Sequence, residues 1–69
     1  MFTYNFIIKH GYKIQAWTPE VVAYKNRDLT IEISNVKDYW SIYKNDIQIA
    51  IGYKIESLKI LLSLIHYHV

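Results

Sequence analysis

The stretch YWSIYKNDIQIAIGY, residues 39–53, reads as two strands around a tight turn. Asn45-Asp46 supplies two adjacent residues that tolerate positive φ, as a two-residue hairpin turn requires. After the turn, Ile47, Ile49 and Ile51 alternate with Gln48, Ala50 and Gly52, which is the period of a strand. The turn sets an expected register in which Lys44 faces Ile47, Ile42 faces Ile49 and Trp40 faces Ile51. On the other face Tyr43 meets Gln48, Ser41 meets Ala50 and Tyr39 meets Gly52. Trp40, Ile42, Ile49 and Ile51 then share the side to be covered, because strand side chains alternate between faces. Tyr39 lying over Gly52 would shield a strand glycine.

The preceding segment, VVAYKNRDLTIEIS, alternates in the same way, with Leu29, Ile31 and Ile33 between Thr30, Glu32 and Ser34. Lys25 to Asp28 is expected to form its turn, so that Tyr24 faces Leu29 and Val22 faces Ile31. Residues 35–38 link the two hairpins. Upstream, YKIQAW alternates Tyr12, Ile14 and Ala16 with Lys13, Gln15 and Trp17 and reads as a further strand, left through the turn formers Thr18-Pro19.

The tail KIESLKILLSLIHYHV changes period. Ile55, Leu58, Leu61, Leu62 and Ile65 fall on one helical face, and Glu56, Lys59, Ser63 and His66 form a polar arc. Ile60, Leu64 and Tyr67 form a second apolar strip well off the first, more than a helix lying on one sheet face needs. At the N-terminus Phe2, Tyr4, Phe6 and Ile8 alternate like a strand, with His10-Gly11 as its turn. The preferred reading is a short helix from about Tyr4 to His10, with Thr3 as N-cap and Gly11 as its stop.

These elements predict an α+β fold: an antiparallel meander of four or five strands with a C-terminal helix, and a short N-terminal one, on one face. The expected core is Phe6, Ile14, Val22, Leu29, Ile31, Ile33, Trp40, Ile42, Ile49, Ile51, Leu58, Leu61, Leu62 and Ile65. Sixty-nine residues suit one small domain, 1–69, which buries only about 60% of its unfolded surface. Against that thin interior, 52% of the residues are hydrophobic and 16% aromatic, so some apolar surface is left for a partner or a second copy.

Composition narrows the function classes. The chain has no Cys, which favours a reducing, cytoplasmic setting, and no basic leader segment or membrane-length apolar run. The eight Lys and Arg are spread evenly and only one is Arg, so a polyanion footprint is missing and nucleic acid is a disfavoured partner. His66 and His68 cannot share a helix face, and no Cys completes a zinc set, so no metal is expected. Glu20, Asp28, Glu32, Asp38, Asp46 and Glu56 are dispersed, with turns accounting for two of them. No nucleophile elbow or Gly-rich phosphate loop is present, so no catalytic residue and no cofactor is expected.

The expected function is a small non-enzymatic protein–protein interaction module. By analogy of size it resembles immunity- or inhibitor-type accessory proteins of bacterial or phage origin. Its candidate partner surfaces are a sheet face with Trp17, Tyr39, Tyr43, Gln48 and Ala50, and the helix strip Ile60, Leu64 and Tyr67. The alternatives are a single-stranded nucleic-acid binder that stacks bases on the exposed aromatic rings, and an obligate homodimer. Leu62→Ala is expected to cost roughly 2–5 kcal/mol, read as a lower urea midpoint; an unchanged midpoint would remove Leu62 from the core.

Overall fold

The computed structural model describes residues 4–67; Phe2, Thr3 and His68, which enter the expectations above, lie outside them. The chain runs α1 (Asn5–Ile8), β1 (Lys13–Trp17), β2 (Val21–Asn26), β3 (Leu29–Ser34), β4 (Tyr39–Lys44), β5 (Ile47–Tyr53) and α2 (Ile55–Ile65). The five strands form one antiparallel sheet in sequence order, and the N-terminal segment takes its helical alternative. Gly11, at φ +90°, ends the turns that follow α1, a conformation that favours glycine. Among the described residues no helix is long and apolar enough to cross a membrane.

Asn45 (φ 52°) and Asp46 (φ 69°) both turn left-handed, as the hairpin turn demands, and Lys44 pairs with Ile47 and Tyr43 with Gln48. The register then departs from strict alternation. Ile49 takes no partner, and β5 bulges there. Beyond it Ile42 pairs with Ala50, Ser41 with Ile51, Trp40 with Gly52 and Tyr39 with Tyr53. A bulge adds one residue to one strand and so shifts every later side chain to the opposite face. Ile49 and Ile51, expected in the core, are 52% and 54% exposed, and Ala50 and Gly52 take the covered side.

Packing against Trp40 explains why small residues belong there. The indole lies on Gly52: a Cβ at that position would sit 2.9 Å from Trp40 Cε2 and 3.0 Å from Cη2. Trp40, not Tyr39, therefore shields this glycine. The indole N–H points at the Lys54 carbonyl (3.0 Å) and at Ser57 Oγ (3.1 Å). The Ser57 hydroxyl in turn donates to the Tyr53 carbonyl at 2.6 Å. Lys54, at φ 70°, carries the sharp passage from β5 into α2, and its N–H donates to the Asp38 carbonyl at 3.0 Å. A non-glycine residue in that region stores strain of about 1–3 kcal/mol, held here by those hydrogen bonds.

The core lies between the sheet and the two helices. Val22, Tyr24, Ile31, Ile33, Trp40 and Ile42 face Ile7 from α1 and Leu58 and Leu62 from α2. Phe6, Leu29 and Leu61 pack at its margin. Tyr12, outside the expected core, is buried, and its hydroxyl meets His66 Nε2 at 2.7 Å. Burial first, and Asp28 second, push the Tyr12 phenol above its usual pKa, which keeps its O–H available as a donor.

Three further expectations are corrected. The β2–β3 turn is only Arg27-Asp28, with Arg27 at φ 57°, so Tyr24 pairs with Ile31 and Val22 with Ile33; the face is kept and the register moves by two. Ile14 is exposed: β1 bulges at Gln15, and Ile14 points to the helix side of an edge strand that the helices leave uncovered. Ile65 is also exposed, at the last position of α2.

Replacing Gly52 by Ala should overpack the indole and loosen its hold on α2. The expected loss is about 1–3 kcal/mol. A double-mutant cycle with Trp40→Phe checks the cause, since residues in contact couple and distant ones add; additive effects would mean that the ring and the glycine do not oppose each other.

Candidate functional site

The sheet side away from the helices carries Val21, Ala23 and Lys25 of β2, Thr30, Glu32 and Ser34 of β3, and Tyr39, Ser41 and Tyr43 of β4. Gln48, Ile51 and Tyr53 of β5 join them, since residues paired across an antiparallel ladder share a face. Ala23 and Ser41 are buried by their larger neighbours without any helix above them, so they floor a shallow trough. Val21, Glu32, Ser34, Tyr39, Ser41, Tyr43, Gln48 and Ile51 line one dip in it, of about 230 Å³. Glu32 and Tyr43 also line the adjoining dip with Gln15, Lys25, Thr30 and Asp46.

This face brings together three of the five sheet residues expected to bind a partner: Tyr39, Tyr43 and Gln48. It does not include the other two. Ala50 is on the helix side opposite Ile42, at the margin of the core. Trp17 pairs with Val22 and so also points to the helix side, where it is 67% exposed on the edge strand. Each was turned over by a bulge within its own strand. Ile51 and Tyr53 join the face by the same shift. Glu32 sits in the middle of it; its outward side follows from its place between Ile31 and Ile33.

The second surface is the outer side of α2. Ile60 and Leu64 stand about one turn apart on α2 and are highly exposed, Leu64 at 69%; Tyr67, expected on the same strip, lies beyond the last helical residue, Ile65, and lines the cleft between the helices instead. The segment that could have covered them, α1, lies along another flank of the helix. There Lys59 Nζ stands 5.5 Å from the Phe6 ring centroid, and the His10 and His66 rings stack at 4.9 Å. The polar arc of α2 is thus used as a seam to α1, and Ile60 and Leu64 are left outward. Ile47 and Ile49 of β5 add further uncovered apolar side chains.

The seam gathers ligand-type side chains. Phe6, Lys9, His10, Lys59, Ser63, His66 and Tyr67 line an open cleft there, and no carboxylate is among them. His10, remote in sequence, reaches His66 through the fold. Among the described residues no group of three or more His, Cys, Asp or Glu could hold a metal ion. No family model, curated protein or solved structure matches this chain.

Proposed function

We propose that this chain is a small non-enzymatic protein-binding module that acts by shape-complementary contact. The observation that carries this reading is the uncovered apolar pair Ile60 and Leu64 on α2, with Ile47 and Ile49 exposed on β5. Isolated surface hydrophobics are ordinary, but Ile60 and Leu64 a turn apart on α2, and Ile47 and Ile49 two residues apart on β5, support an interaction site. Fully burying a side chain of the Ile or Leu class is worth about 1.5–3 kcal/mol. Several such residues left in water forgo an amount comparable with a whole domain's net stability of about 5–15 kcal/mol. A partner that covers the strip recovers part of it.

The alternative, bases stacked on the sheet-face tyrosines, is weakened by Glu32. A carboxylate in the middle of that face repels a phosphate backbone, although Lys25 on the neighbouring strand and Lys13 opposite it on β1 also face outward. A second copy of the chain remains within the protein-binding reading, as one kind of partner.

Ile60→Glu with Leu64→Glu tests the proposal. Both positions are exposed, so the fold should tolerate the change to within about 0.5 kcal/mol per site. Binding of a partner chain captured from the native host, or self-association in sedimentation, is expected to weaken at least tenfold. Identical capture and identical sedimentation for the native and doubly substituted chains would remove the α2 strip as the binding surface. Trp fluorescence unchanged by a single-stranded oligonucleotide at low salt is the companion result; quenching that salt reverses would favour nucleic acid.

A further inference from the structure

Glu32 is the feature of the sheet face that the apolar reading does not use. It lies opposite Ser41 on β4 and opposite Ala23 on β2. Both neighbours are small and buried, so the carboxylate rises from a dip. Tyr39 and Tyr43 stand two residues to either side of Ser41, on the same face, and line the same dip. Diagonal neighbours of this kind have Cβ atoms roughly 7–8 Å apart, within reach of an aromatic ring. Glu32 is half-buried, and among the described residues it has no ion-pair partner. Lys25, across from Thr30, and Lys13, across from Lys25, share the face, and among the described residues neither makes an ion pair with Glu32. Asp46 adds a second negative charge at the end of the trough.

A half-buried carboxylate between two aromatic rings has one natural complement. A guanidinium donates two parallel N–H bonds to a carboxylate and stacks its plane on a neighbouring ring. An ammonium offers only a point charge in the same place. We propose that the outer sheet face receives a single arginine side chain from an extended segment of the partner protein, seated on Glu32 between Tyr39 and Tyr43. The proposal rests on the protein-binding reading and gives the partner a chemistry: a cation flanked by small or apolar residues that fit over Ser41, Ala23 and Ile51.

The test titrates the isotope-labelled whole chain with acetyl-Ala-Arg-Ala-amide and follows amide shifts. The same peptide with Lys, the same peptide with Glu, and free spermidine are the comparison arms. Expected are saturable shifts centred on Glu32, Ser41, Tyr39 and Tyr43, stronger for Arg than for Lys and lacking for Glu. Glu32→Gln, nearly isosteric and on an uncovered face, should weaken the Arg peptide about tenfold with the dispersion of the core methyl signals unchanged. Tyr43→Phe should retain binding and Tyr43→Leu should lose it severalfold, because the ring face makes the contact, not the hydroxyl. Scattered or unsaturable shifts, equal affinity of the Glu32→Gln chain, or spermidine binding as tightly as the Arg peptide would overturn the proposal. The Ile60→Glu, Leu64→Glu chain should bind the Arg peptide like the native chain. A failure at Glu32 therefore leaves the α2 reading standing, and a failure at α2 leaves Glu32 to be judged by its own titration.

Discussion

Trp40 lying across Gly52 is the contact on which the rest of the architecture depends. The indole fills the space between β4, β5 and the start of α2, and its N–H reaches both the Lys54 carbonyl and Ser57 Oγ. That joint requires a residue with no side chain beneath the ring. The bulge at Ile49 places Gly52 there and sets the small Ala50 beside it, opposite Ile42. With small residues under it, α2 comes down on the sheet and seats Leu58 and Leu62 against Ile42, Ile31 and Trp40. In a straight ladder Trp40 would oppose Ile51. Two bulky side chains would then hold the helix away or force strained rotamers.

The same contact accounts for the unusual surface. Turning β5 over to admit Gly52 sends Ile51 and Tyr53 to the outer face and leaves Ile49 exposed in the bulge. The fold thus gains one well-packed joint and forgoes the burial of several large apolar side chains. A 69-residue chain has little stability to spare, so that exchange is most easily understood if a partner covers part of the exposed set. The two sides differ in character. The α2 pair Ile60 and Leu64 is purely apolar, whereas the sheet trough combines two tyrosines with Glu32, a carboxylate that has no ion-pair partner among the described residues.

Much of the fold was legible in the chain itself. Alternation in residues 29–34 and 39–44, the left-handed Asn45-Asp46 turn, the period change after Lys54 and the Gly11 stop each agree with the observed elements. The bulges were not legible, because a strict period of two has no place for an extra residue. Ile47, Ile49 and Ile51 are the most apolar alternating set in the chain, and hydropathy alone sends them inward. The competing signal was Gly52 and Ala50, small residues suited to lie beneath Trp40 and α2. Trp17 and Ala50 were misplaced for the same reason, whereas Tyr39 and Tyr43 on the unbulged β4, and Gln48 ahead of the β5 bulge, keep the face expected of them. Tyr12, read on the Ile14 side of its strand, was left out of the expected core because the His66 that meets it lies 54 residues away, and only tertiary structure joins them.

The most direct measurement is the register of β4 against β5, read from cross-strand backbone nuclear Overhauser effects in the isotope-labelled chain. The account predicts Trp40 paired with Gly52, Ser41 with Ile51 and Ile42 with Ala50, with ring contacts from Trp40 to the Gly52 α-protons. Pairing of Trp40 with Ile51 and of Ile42 with Ile49 would contradict it, because an unbulged β5 would return those isoleucines to the core.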